Sequence, residues 1–131
     1  GRESSWAVHG TTGDGRPVDE LSTMGPTRIC KSGTMEDHVD EEVQPRDFSL
    51  GVAEVEDLQG GDATENTAIL TSILDGSETG PKLDMVLLNA GAGLACAGLA
   101  DDLGSGIAQA RELIESGAAM VRLRLLQEAA K

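Results

Sequence analysis

The run MVLLNAGAGLACAGLA, from Met85 to Ala100, constrains this chain more than any other stretch. Wound as a helix it is apolar on most sides, so protein must cover more than one of its faces. It is 16 residues long and holds Asn89 and three glycines, which is too short and too polar to span a bilayer. Pro81 stands near the first turn, where its missing N–H is not needed. Gly91, Ala92, Gly93, Ala95 and Ala97 would let neighbouring elements approach closely. The reading is a largely buried helix that the rest of the chain must enclose.

Helix punctuation surrounds that run. In GGDATENTAILTSILDGS, Asp62 is placed as N-cap with Glu65 three residues on, the pattern of a capping box. Ile69, Leu70, Ile73 and Leu74 then share one face, and Gly76 can close the helix. DDLGSGIAQARELIESG spaces Leu103, Ile107, Ala110 and Ile114 at helical period, with Gly117 suited to the position just past the end. AAMVRLRLLQEAAK reads as a final amphipathic helix. Before about residue 55 the character changes to short β-type runs separated by Gly and Pro. SSWAVHG puts Trp6 and Val8 on one side of a strand, with Gly10 expected to begin a loop. TRICKSG alternates, so that Ile29 faces away from Arg28 and Cys30, and KSGTME is a turn candidate. DHVDEEVQP is a polar strand stopped by Pro45, which suggests an exposed hairpin or a sheet edge. The expected fold class is α/β. A small mixed, partly antiparallel sheet from residues 1–54 packs with a helical part from 55–131, the whole chain forming one partial domain.

With Trp6, Phe48 and no Tyr, the core must close by aliphatic packing, and the two rings serve as packing anchors. The formal charge is −13, from 10 basic and 23 acidic residues, which repels a phosphate backbone and argues against nucleic acid as a partner. Cys30 and Cys96 belong to no CxxC or Cys/His spacing, so free thiols and a cytoplasmic setting are expected. No signal peptide and no membrane span is read. The chain opens on Gly1 rather than Met, as a fragment or a processed product would.

Several stretches could carry chemistry. GTTGDG, Gly10–Gly15, has the glycine content of a phosphate loop, but Arg16-Pro17-Val18 follows it and is extended rather than helical. A flexible connection is the simpler reading. Asp19 and Glu20 are adjacent carboxylates, which on a straight extended segment point to opposite faces. At a bend or strand end both can reach one site, an arrangement that suits Mg²⁺ because that ion keeps several waters. Without further information the pair is a solvated surface feature. His9 and His38 fit no ligand or triad pattern, Asp101-Asp102 reads as a helix start, and VDEE (residues 39–42) as a solvated strand face.

Four segments in order then carry a resemblance: AVHGTTGDGRPVDELSTMGPTRI, LQGGDATENTAILTSIL, GPKLDMVLLNAGAGLACAGLADDL and GIAQARELIESGAA. Together they resemble the C-terminal part of anthranilate phosphoribosyltransferase, a nucleoside phosphorylase-like phosphoribosyltransferase. The most specific marks are VHG…DELS..GPT and LLNAGAGL…AG.A; the likeness is weakest over Cys30–Ala53 and after Met120. Enzymes of that family transfer the phosphoribosyl group of phosphoribosyl pyrophosphate (PRPP) to anthranilate in tryptophan biosynthesis, releasing pyrophosphate.

The resemblance implies that Asp19 and Glu20 match the family's acidic pair, which holds Mg²⁺ against the pyrophosphate, and that GTTGDG lies where the family has a variable loop. It assigns no catalytic residue, and leaves the substrate-binding residues of this chain unknown. The family's GTGGD phosphate loop and KHGNR-like anthranilate segment are absent from the sequence. The expectation is therefore a part of a larger α/β domain, a transferase fragment inactive alone, with PRPP binding weak or missing. The alternative is a stand-alone truncated, non-catalytic protein that self-associates, as a homodimer, or binds a partner. A nucleic-acid-binding branch of the superfamily is disfavoured by the charge and by the retained acidic pair.

Overall fold

The computed structural model describes residues 4–33 and 39–130. Among the described residues four strands form one sheet in the order β2-β1-β3-β4: β1 (Ser4–Thr11), β2 (Pro17–Val18), β3 (Thr27–Gly33) and β4 (Val39–Val43). Every pairing is antiparallel. Four helices follow, α1 (Ala63–Leu74), α2 (Pro81–Cys96), α3 (Leu103–Glu115) and α4 (Ala118–Ala129), after two short 3₁₀ turns at Pro45–Phe48 and Val55–Leu58. This is the expected α/β arrangement, a strand-rich first part packed with a helical second part, with the sheet antiparallel at each of these pairings rather than mixed. The turn expected in KSGTME and the position of His38 lie outside the described residues.

Alternation in β1 and β3 creates the sheet's inner face. Val8 pairs across the sheet with Ile29, which is fully buried, and Trp6 pairs with Lys31. The Lys31 ammonium lies 4.4 Å from the centre of the Trp6 ring and 2.5 Å from Glu41 on β4, tying three strands together. Trp6, Val8, Val43 and Phe48 all pack against the core, as anchors should. The outer face carries His9, Arg28, Cys30, Asp40 and Glu42, all exposed, with the Arg28 guanidinium on the Asp40 carboxylate. Cys30 and Cys96 are free thiols. Of the VDEE stretch only Glu41 is half-buried, because the β3–β4 register sets it opposite Ile29 on the inner face, where it pairs with Lys31.

The core itself lies between sheet and helices and within the α2–α3 pair. Leu83, Leu87, Leu88 and Ala92 of α2 meet Leu103, Ile107, Ala110 and Ile114 of α3. Gly91 and Gly106 make that crossing close: a Cβ on Gly106 would stand 2.3 Å from the Gly91 carbonyl oxygen. Gly91 thus serves the close approach expected of the small residues, whereas Gly93 has nothing near it. The C-terminal end of α2 and α1 are less covered than their patterns suggest; Leu70 is 46% exposed. α4 packs on α3 and α1 but buries none of its residues. Among the described residues no helix is long and apolar enough to cross a membrane.

Candidate functional site

The glycine stretch folds as a closed connection between β1 and β2. β1 runs on through Gly10 to Thr11, pairing with Val18 and Pro17, so Gly10 is a strand residue and not the start of the loop. Its lack of a side chain serves packing: a Cβ there would come within 2.2 Å of the Glu20 carbonyl oxygen. In the loop, the Thr12 N–H donates to the Arg16 carbonyl at 2.9 Å and the Gly15 N–H to the Thr12 carbonyl at 2.9 Å. The Arg16 N–H donates to Thr12 Oγ1 at 2.9 Å, and Arg16 Nε to both Asp14 oxygens at 3.0 and 3.1 Å. The Asp14 carboxyl accepts from the Thr12 hydroxyl as well, and these contacts hold it below the usual carboxylate range, the hydroxyl contributing most. Three of the loop's N–H groups are therefore spent internally, and a carboxylate stands where a phosphate cradle would need positive potential.

The acidic pair is built differently. Val18 ends β2, and the chain bends at Asp19 and Glu20, both exposed. Such a bend relieves the opposed orientation that a straight strand would impose on neighbouring carboxylates. Immediately after it the chain dives inward: Leu21, Ser22 and Thr23 are buried. Asn89 of α2 grips the backbone there, its Oδ1 accepting from the Leu21 N–H at 3.0 Å and its Nδ2 donating to the Leu21 carbonyl at 2.8 Å. Thr27 Oγ1 accepts from the Ser22 N–H at 2.9 Å, and the Thr23 carbonyl accepts from the Ala53 N–H at 3.0 Å. Two solvent-facing carboxylates thus sit on a segment anchored to α2, β3 and the loop before the second 3₁₀ turn.

Asn89 is the residue that sequence reasoning missed. It stood out only as a polar intruder in the apolar run, and its partner lies 68 residues away. His9 is exposed on β1, across from Arg28 and apart from the acidic pair's segment in the chain. Asp102 is the N-cap of α3, as its position suggested, and accepts from the Ser105 N–H at 2.7 Å. Among the described residues no group of three or more His, Cys, Asp or Glu side chains is placed to hold a metal ion. Asp19 and Glu20 nevertheless fit Mg²⁺ as a donor set. They are hard oxygen ligands, open to solvent, and that ion commonly takes one or two carboxylates while waters and phosphate oxygens fill its shell.

Known proteins of similar sequence and fold bear on the chain as a whole. The anthranilate phosphoribosyltransferase of Anaeromyxobacter dehalogenans is 41% identical over 122 residues, covering 92% of this chain and 35% of the relative. The crystal structure of anthranilate phosphoribosyltransferase from Thermus thermophilus superposes with a TM-score of 0.79 at 36% identity, over 92% of this chain and 34% of that one. The Saccharomyces cerevisiae enzyme in complex with PRPP and Mg matches with a TM-score of 0.77 at 25% identity, over 91% of this chain and 33% of that one. The chain spans about a third of the length of the relatives it matches. Residues 1–120 match the model of the glycosyl transferase family, a/b domain, and the chain belongs to that family.

Proposed function

We propose that this chain supplies the C-terminal portion of an anthranilate phosphoribosyltransferase, with Asp19 and Glu20 as its contribution to a Mg²⁺ site for the pyrophosphate of PRPP. The observation that carries the reading is the acidic pair on an anchored bend, within a stretch 41% identical to a transferase of that activity. Asp19 and Glu20 would hold the ion, and Mg²⁺ held there would supply positive charge to offset that of the pyrophosphate leaving group. The chain's own part is to hold two carboxylates at a fixed place. Asn89 and the buried Leu21–Thr23 segment prevent the bend from drifting, which matters because misplacement by about 1 Å can lower a rate by ~100-fold.

The same reading makes the isolated chain inactive. The sequence has no GTGGD or KHGNR segment, and the GTTGDG loop turns its donors on itself. Purified chain supplied with PRPP, Mg²⁺ and anthranilate should form no phosphoribosylanthranilate; measurable product overturns that prediction. The site is tested by calorimetric titration with PRPP in the presence and absence of Mg²⁺. Binding with a Kd on the order of 1 mM that needs Mg²⁺ and vanishes in Asp19→Asn is expected. Heat that is independent of Mg²⁺, or unchanged in the variant, removes the acidic pair from the site.

A further inference from the structure

The outer face of α4 is apolar, flanked by opposite charges, and unused by the fold. Ala119 of this helix packs against the core, and Leu123 is half-buried. At about 100° per residue, Val121 and Leu125 lie roughly opposite Leu123. They are 54% and 50% exposed. Ala118 and Ala129 extend the same stripe with small side chains, leaving room for a second helix to lie close. Arg124 and Glu128, four residues apart and both exposed, line one flank of the stripe; Arg122 lies on the other. None of these three charges forms an ion pair among the described residues.

We propose that this stripe is an interface with a second copy of the chain, formed by antiparallel pairing of the two α4 helices. Antiparallel helices related by a two-fold axis bring the same flank of each together. With the axis between Leu125 and Leu126, Arg124 of each copy lies within one residue of level with Glu128 of the partner subunit, and Val121 within one residue of level with Ala129 of the partner subunit. A parallel pairing would instead set the Arg124 flank against the one carrying Arg122, opposing like charges. Charge also favours this place over most of the surface. With two arginines and one glutamate, α4 is net positive in a chain of formal charge −13, so two copies meeting here keep much of their acidic surface apart. The pairing is isologous, as a symmetric dimer requires. It does not depend on the transferase reading.

One pair of short helices buries little area, so association should be weak, with a Kd on the order of 100 µM. Sedimentation of the full chain from about 10 µM to about 1 mM should show the average mass rising toward that of a dimer. Leu125→Glu places two like charges near the axis and should weaken association at least ~10-fold. Circular dichroism should confirm an unchanged helix content, since the side chain is already exposed. Arg124→Glu alone should weaken association ~3-fold or more, and Arg124→Glu combined with Glu128→Arg should restore it to within about 2-fold. A chain that stays monomeric throughout, or a dimer indifferent to Leu125→Glu, overturns the proposal. Failure of the double variant to recover overturns the antiparallel pairing.

Discussion

Asn89 joins the acidic bend to the helical half of the molecule, and its amide is matched to that task in both directions. It accepts from one backbone group of Leu21 and donates to another, and donates also to the Met85 carbonyl at 3.1 Å. Asn89→Ala would leave the Leu21 N–H and C=O without these partners beside buried residues, which should cost about 1–3 kcal/mol. Urea unfolding should report a lower midpoint with an unchanged slope. Faster exchange of the Leu21 amide in the native state should accompany it; an unchanged Leu21 rate would mean the contact holds nothing in place. The role is not legible in the sequence, because nothing local to Asn89 points to a residue 68 positions earlier. Gly10 departs from expectation for a related reason. Glycine commonly opens a loop, but here β2 returns to pair with Gly10 and Thr11, and the passage of Glu20 leaves no space for a side chain. The metal role proposed for Asp19 and Glu20 is legible only through the family likeness; adjacency alone describes many surface pairs.

Elements with self-contained signals follow their sequence closely. Asp62 caps α1, accepting from the Thr64 and Glu65 N–H groups at 2.8 and 2.9 Å, while Glu65 accepts from the Asp62 N–H at 3.0 Å. Gly76 and Gly117 close α1 and α3 with positive φ of 79° and 77°. Asp102 at the start of α3 is the clearest case for pH. Bonds from the Ser105 backbone and side chain, in that order, hold its carboxyl below the usual carboxylate range. A depressed folded value means its stabilising effect is complete above the unfolded pKa and is lost as pH falls through the folded one. Acid titration of wild type should therefore lose helix signal below the ordinary carboxylate range more steeply than Asp102→Asn, whose cap does not titrate; parallel curves would remove the cap from acid stability. What a helix pattern cannot reveal is who covers each face. The crossing of α2 and α3 through Gly91 and Gly106 depends on both helices at once. Gly91→Ala would put a Cβ 2.6 Å from the Ile107 nitrogen, and forcing the helices apart should cost about 1–3 kcal/mol. Gly93→Ala, with nothing within 4 Å, should be neutral or slightly stabilising from its gain in helix propensity. Equal midpoints for the two variants in thermal unfolding would show that the crossing relaxes freely.

For the whole molecule, the family likeness and the α/β division are legible because they rest on motifs spread through nearly the full length. The exposed face of α4 is not, since an amphipathic pattern marks a face without naming its cover. Net charge belongs to this scale too. Ten basic and 23 acidic residues leave an excess that opposes the compact state wherever acidic groups crowd. Against it stand ion pairs such as Arg16–Asp14 at 3.0 Å, Lys31–Glu41 at 2.5 Å and Arg111–Asp84 at 3.8 Å. The first is largely solvent-exposed, and exposed pairs contribute only ~0–1 kcal/mol each. Salt screens both effects, shortening the Debye length from about 30 Å at 0.01 M to about 8 Å at 0.15 M. The repulsion acts across the surface, between many charges farther apart than the partners of an ion pair, so it should be screened more completely. Raising NaCl over that range should therefore increase Tm by a few degrees in scanning calorimetry of dilute chain. A fall in Tm would instead assign the sheet's cross-strand pairs a larger share of stability than exposed contacts ordinarily hold, with Lys31 between Trp6 and Glu41 the first place to look.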